Sequence, residues 1–386
     1  MTTWRVAAMT LSAALVVPAA AVMPPMRAAA AAAVPCPAVE PPMQPPDTPS
    51  PPPVDAAERK VGGDALATSG LASPPDVPTP PGVTATSWLV ADLNSGEVLG
   101  GCGPHERRTP ASVQKLLLVA ALMPRLDPAE VVEVKREDLQ DLDPGSSLMG
   151  VVEGGRYSVE SLWLGLLLRS GNDAANVLAR VGGGGAGRQG GVDAMNAEAR
   201  RLRANQTHAA TPSGLDGPDQ YTSAYDLALI ARTTFAREDF RRYMQTRVAT
   251  VPAQPGTPAL EIDNDNTLLD RYQGMLGGKT GFTQLARQTY VGVAERNGRR
   301  LAVTLLGAET APLGSLGEAI ALLDWGFALS PNASVGRLVT PDEKKSSMSL
   351  LTGLGLGAAV GLVVMIVAVP WYRRIGARRS SQTEGR

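Results

Sequence analysis

The chain is short of the side chains from which most hydrolytic sites are built. His105 and His208 are its only histidines, and it contains no HExxH, CxxC or GxxxxGK[ST] run. Zinc hydrolases and phosphate-binding loops depend on those patterns, so both classes have little support. A Ser/His/Asp triad would have to recruit one of the two histidines. His105 lies in a Gly/Pro-flanked turn and His208 in a polar loop, and both read as structural or solvated. An excess of one charge is also missing: 36 Lys and Arg oppose 37 Asp and Glu, for a net charge of −1. With no basic block before the extreme C-terminus, nucleic acid is not an expected partner. Cysteine is limited to Cys36 and Cys102. In an exported chain such a pair is compatible with one disulfide or with two free thiols. Pro35, directly before Cys36, argues against a lipoprotein cleavage site. No cofactor or metal is implied.

Proline and glycine, by contrast, are plentiful, at 32 and 41 residues. Much of the chain is therefore not expected to be packed core. Arg5 followed by the apolar run Val6 to Val22 reads as a secretory signal peptide, assigned to residues 1–33. Residues 34–84 have neither helical nor alternating periodicity and read as a Pro-rich disordered linker. A folded domain is expected over 85–335 and a juxtamembrane linker over 336–349. Leu350 to Val369 is a run of twenty uncharged residues, long enough for a transmembrane helix. Trp371 and Tyr372, then Arg373, Arg374, Arg378 and Arg379, make 370–386 a basic tail on the cytoplasmic side. The expected placement is the cell membrane, spanned once, with the folded domain outside.

Within that domain, Ser87 to Leu93 and Glu97 to Leu99 flank the turn Asn94-Ser95-Gly96 as a hairpin. Helices are expected over Ser158 to Leu168, Asp173 to Val181 and Val192 to Arg203, with Gly182 to Gly191 a flexible loop. Late strands fall near Lys279, over Thr289 to Ala294 and over Leu301 to Leu306, and a last helix over Ser315 to Leu329. Helices thus lie between an early hairpin and late strands, which suggests one α/β domain whose sheet joins both ends.

The stretch of greatest chemical interest is Thr109-Pro110-Ala111-Ser112-Val113-Gln114-Lys115 with the apolar run to Met123. Pro110 suits a helix start, which puts Ser112 in the first turn and Lys115 on the same face. A serine there has a candidate base three residues away, and its own amide can stabilise an oxyanion. Ser-x-x-Lys alone is weak, since a surface lysine on an amphipathic helix reads the same way. Two further elements follow in order: Ser170-Gly171-Asn172 at a helix end, and Lys279-Thr280-Gly281 on a strand. Singly, Ser170 and Asn172 could be caps for the next helix, and Lys279 a solvated edge-strand charge.

Their conjunction resembles the serine D-alanyl-D-alanine carboxypeptidases, low-molecular-mass penicillin-binding proteins of actinobacterial type. The resemblance covers Ser87 to Leu329 and includes LLRSGNDAA (167–175), TPSGLDG (211–217), Asn264-Asp265-Asn266 and LGGKTGFT (276–283). It implies an α/β (α+β) fold of the DD-peptidase/class A β-lactamase kind, an antiparallel sheet flanked by helices with an all-helical subdomain. The implied substrate is the D-Ala-D-Ala terminus of peptidoglycan stem peptides, with β-lactams as inhibitors. Ser112 would attack the penultimate D-alanine carbonyl. Lys115 would be its base, kept neutral by burial beside Lys279. By analogy Ser170 relays a proton to the leaving D-alanine, and Asn172 holds substrate and Lys115. Lys279 and Thr280 suit the terminal carboxylate, and Gly281 permits close approach. Phe282 would give the second oxyanion amide. Gln284 to Arg287 depart from the acidic, Gly-containing run of many relatives. A D,D-endopeptidase or transpeptidase would use the same residues. A class A-like β-lactamase would need a deacylating carboxylate, for which residues 205–217 offer only Asp216. A non-catalytic wall-sensing protein is the alternative of another class.

Overall fold

The computed structural model describes residues 33–43, 51–142 and 145–339. The signal-peptide and transmembrane assignments lie outside these residues. Among the described residues no helix is long and apolar enough to cross a membrane.

Eleven strands and eight α-helices are formed by the described residues. In chain order, β1 (Leu71–Ala72), β2 (Ser87–Asp92) and β3 (Glu97–Cys102) precede α1 (Lys115–Leu122). Next come β4 (Val131–Glu133), β5 (Arg156–Ser158), α2 (Val159–Leu168), α3 (Asn172–Gly182), α4 (Gly187–Leu202), α5 (Ala224–Ala236) and α6 (Glu238–Gln245). The last part holds β6 (Val248–Val251), β7 (Leu260–Asp263), α7 (Leu268–Arg271), β8 (Met275–Thr283), β9 (Arg287–Arg296), β10 (Arg299–Ala308), α8 (Gly314–Ala328) and β11 (Gly336–Arg337). The main sheet runs β1-β3-β2-β10-β9-β8, with β11 also on β3. Its β10–β2 pairing, Val303 opposite Val90, is antiparallel and joins the early hairpin to the late strands.

Both faces of the central strands are covered, so β2 is buried throughout and does not alternate. One layer is α8, whose Leu322, Leu323 and Trp325 pack with Trp88, Val90, Leu301 and Val303. On the other face lies the larger core, with α1 and α5 packed among Leu89, Ala91, Val291 and Val293. Every residue of α1 is buried. Leucines 116, 117, 118 and 122 are inaccessible and contribute about 2 kcal/mol each by burial. The element that follows the candidate nucleophile is thus wholly enclosed in the core.

Local chemistry sets the helix starts. Ser158 Oγ accepts from Ser161 N–H at the start of α2, and Ser223 Oγ accepts from Asp226 N–H at the start of α5. Four sequence expectations require correction. Residues 182–191 are not one loop: Gly184–Ala186 form a 3-10 turn, and α4 begins at Gly187. A Cβ on Gly191 would lie 2.3 Å from Ala179 O, so this glycine lets α4 start against the backbone of α3, and packing outweighs its poor helix propensity. The segment 34–84, read as a linker, is packed over its described residues. Leu66 and Val83 are buried, β1 pairs with β3, and Cys36 is disulfide-bonded to Cys102. The folded domain also extends past 335, since β11 pairs with β3 and Leu338 is buried. Finally, the helical half is not all-helical: it carries the two-stranded ribbons β4–β5 and β6–β7.

Candidate active site

Ser112 lies in a 3-10 turn, Ala111–Gln114, that runs directly into α1. Ala111 has φ +50°, a left-handed conformation that costs a non-glycine residue on the order of 1 kcal/mol. Its neighbours fix it there. Thr289 Oγ1 on β9 donates to Pro110 O at 2.9 Å. Gly214 (φ +86°) sits so close that a Cβ on it would be 2.0 Å from Ala111 O. On the strand side, a Cβ on Gly281 would stand 2.8 Å from Ser112 N. The bare Gly281 backbone therefore lets β8 lie against the nucleophile's own amide, next to the Phe282 amide on the same strand.

The Lys115 side chain, fully buried, donates to Ser112 Oγ at 2.8 Å, Asn172 Oδ1 at 2.7 Å and Ser213 O at 2.9 Å. Burial, and after it the charge of Lys279, hold its pKa well below that of an ordinary lysine, while Asp173 opposes the shift. The neutral amine that a general base requires is thereby favoured. Lys279 is 1% exposed, which overturns the solvated edge-charge alternative. Its ammonium donates to Thr280 O at 2.8 Å, and burial draws its pKa down to about 8 against the pull of Asp265.

Ser170 is held left-handed at φ +59°, and Asn172 opens α3 with Gly171 as an N-cap that makes no side-chain cap bond. Neither side chain caps the helix: Asn172 Oδ1 is taken by Lys115, and the buried Ser170 Oγ has no partner among the described residues. A buried hydroxyl left unpaired is costly unless a ligand or water completes it. The cleft itself has a volume of about 530 Å³ and is lined by Ser112, Ser170, Asn172, Thr280, Gly281 and Phe282. Six of the eight predicted site residues, Ser112 among them, thus line it directly, and Lys115 and Lys279 lie behind its wall.

The sequence reading missed supporting groups. Asp173 accepts from the amides of Met149, Gly150, Val151 and Ala174, fixing the 149–151 segment to the Ser170 turn. An acidic side chain in the first helical turn was its only signal. The Ser213 carbonyl, being backbone, gave none. Asp216 is committed elsewhere, accepting from Thr283 Oγ1 at 2.7 Å. Both histidines are away from the cleft. His105 Nε2 is paired with Val61 O at 2.9 Å, its pKa lowered to about 4 by burial, and His208 Nδ1 is paired with Asp219 O.

A family model described as D-alanyl-D-alanine carboxypeptidase matches residues 75–310. The chain belongs to the D-alanyl-D-alanine carboxypeptidase family. It is 42% identical over 258 residues to the carboxypeptidase DacB2 of Mycobacterium tuberculosis, covering 66% of this chain and 86% of that one. It is 35% identical to the carboxypeptidase DacD of Escherichia coli, of whose length it spans 63%. A crystal structure of a D-alanyl-D-alanine carboxypeptidase from M. tuberculosis superposes with a TM-score of 0.64 and 40% identity, over 69% of this chain and 99% of that one. The Streptomyces K15 DD-transpeptidase is similar at a TM-score of 0.62 and 25% identity, over 65% and 100%.

Proposed function

We propose that this carboxypeptidase removes the terminal D-alanine from peptidoglycan stem peptides through an acyl-enzyme on Ser112. The observation that carries the reading is the Lys115 side-chain nitrogen, buried and 2.8 Å from Ser112 Oγ. Ser112 Oγ attacks the penultimate D-alanine carbonyl as its proton passes to neutral Lys115. The oxyanion accepts from the amides of Ser112 and Phe282. Ser170 Oγ, which has no hydrogen-bond partner among the described residues, passes a proton to the departing D-alanine nitrogen and regains one from Lys115, which Asn172 keeps in place. Lys279 and Thr280 take the terminal carboxylate. Water then cleaves the ester, restoring Ser112.

A penicillin would acylate the same serine. Among the described residues lining the cleft the one carboxylate is Asp265, and it pairs with Arg169 at 3.3 Å. Asp216, the other candidate, is bound to Thr283. Neither is at liberty to activate a deacylating water, which favours a long-lived penicillin adduct over a β-lactamase. The deciding assay is D-alanine release from diacyl-L-Lys-D-Ala-D-Ala. Release that vanishes in Ser112→Ala is the expected outcome, and release that persists sinks the reading.

Export by the 1–33 leader and anchorage by Leu350 to Val369 complete the proposal, with the domain on the wall side of the cell membrane. Full-length protein that leaves membranes in an alkali or high-salt wash would refute the anchor.

A further inference from the structure

The cleft has a second side that the reaction above leaves unused. Strand alternation places Lys279 and Gly281 toward the catalytic turn and Thr280 and Phe282 on the opposite face of β8. Register agrees: Thr280 pairs with Tyr290 and Phe282 with Gln288, and Tyr290 belongs to the core layer beneath α8. Gln288 Oε1 accepts from Ser315 N–H at 2.8 Å, holding the first turn of α8 beside that face. Arg271, the last residue of α7, lines the same cleft as Ser112, Thr280 and Phe282. It is exposed, and among the described residues it makes no hydrogen bond or ion pair. The one carboxylate among the described residues that line the cleft with it, Asp265, is paired with Arg169 at 3.3 Å.

Resting on the proposed carboxypeptidase reading, we propose that Arg271 is a specificity-determining residue that binds the terminal carboxylate of the substrate from the Thr280 side of β8. Two cations then address one carboxylate from different directions. Lys279 reaches it from behind the strand. It is enclosed, and its charge is lost as pH rises through about 8. Arg271 stands at the open side and offers a planar fork that matches a carboxylate. Apolar Leu268, Leu313 and Ile320 line the same cleft. A substrate ending in a neutral group gains nothing from Arg271.

The test compares the parent enzyme with Arg271→Gln and Arg271→Lys on diacyl-L-Lys-D-Ala-D-Ala and on the same peptide ending in a primary amide. The selectivity for free acid over amide in kcat/KM is expected to fall about 10–100-fold in the Gln variant, the loss appearing in KM, and to recover in part in the Lys variant. Above pH 8 the free-acid KM should rise more steeply in Arg271→Gln than in the parent, because no second cation remains. A merely structural residue would depress both substrates alike; that result, or an unchanged selectivity, overturns the proposal. Acylation of Ser112 by benzylpenicillin against its methyl ester gives an independent reading. Should the parent release no D-alanine, the hydrolase reading fails, and the penicillin pair still decides on Arg271: slowing confined to the free acid supports it, and equal rates refute it.

Discussion

Lys115 shows how one side chain can be costly for folding and, in the proposed mechanism, necessary for function. Its folded pKa lies well below the 10.5 of a free lysine. Between those two values the unfolded chain binds one proton more than the folded one, so stability rises with pH. The slope from such a group reaches about 1.4 kcal/mol per pH unit. Lys115→Met should therefore flatten the rise in thermal stability with pH on the alkaline side, below the range of a free lysine, while abolishing acylation by penicillin; an unchanged slope would mean that Lys115 is charged in the folded enzyme. Activity should show an acid limb from the same group, since protonated Lys115 cannot accept the serine proton. Ser112, Lys115, Lys279 and Thr280 were legible because their spacing and order carry the signal. Asp173 and the Ser213 carbonyl were not, because their roles exist only once distant backbone amides and an ammonium converge on them.

At the level of elements, the site is a seam between one edge strand and one turn, and glycine decides its width. A methyl on Gly281 would stand 2.8 Å from Ser112 N and 2.4 Å from Thr289 Oγ1, so β8 would have to retreat from the nucleophile. Gly281→Ala is expected to cut kcat/KM by about 100-fold, the scale of an ångström's misplacement. A single cooperative melt should remain, which separates a displaced oxyanion site from a broken fold. The sequence located the hairpin β2–β3, the helices α2 and α3 and the strands β8 to β10 because their apolar periodicity is local. It failed at the start of α4, where contact with α3 overrides the glycines. It also left α5 and α6 unassigned, although Ser223 and the buried run Ala224 to Ala231 carry a cap and a helical face.

For the whole molecule, the largest departure from expectation is the N-terminal arm. Proline removes periodicity, and the arm is held by isolated anchors that no pattern announces. Trp325 Nε1 donates to Pro78 O at 2.8 Å, Val39 N–H to Val83 O at 3.1 Å, and the disulfide closes 66 residues. Loop closure of that length is worth about 4 kcal/mol as an upper figure. The Cys36→Ser/Cys102→Ser double variant should accordingly melt well below the oxidised parent, and at the same temperature as the reduced parent. Coincident melting of the variant and the oxidised parent would show the arm to be held without the bond.

The sheet topology also gives the molecule a direction. Leu338, near the end of the described chain, donates its N–H to Gly96 O in the β2–β3 turn, beside β3 and away from the β8 edge that bears Gly281. Register puts the Gly96 turn at the strand end opposite Ser87 and Cys102, whereas Gly281 and Thr289 lie near the Ser87 end. Departure point and nucleophile therefore occupy diagonal corners of one rigid plate. The proposed anchor after residue 339 would therefore hold the domain by the heel, with the cutting edge pointing outward.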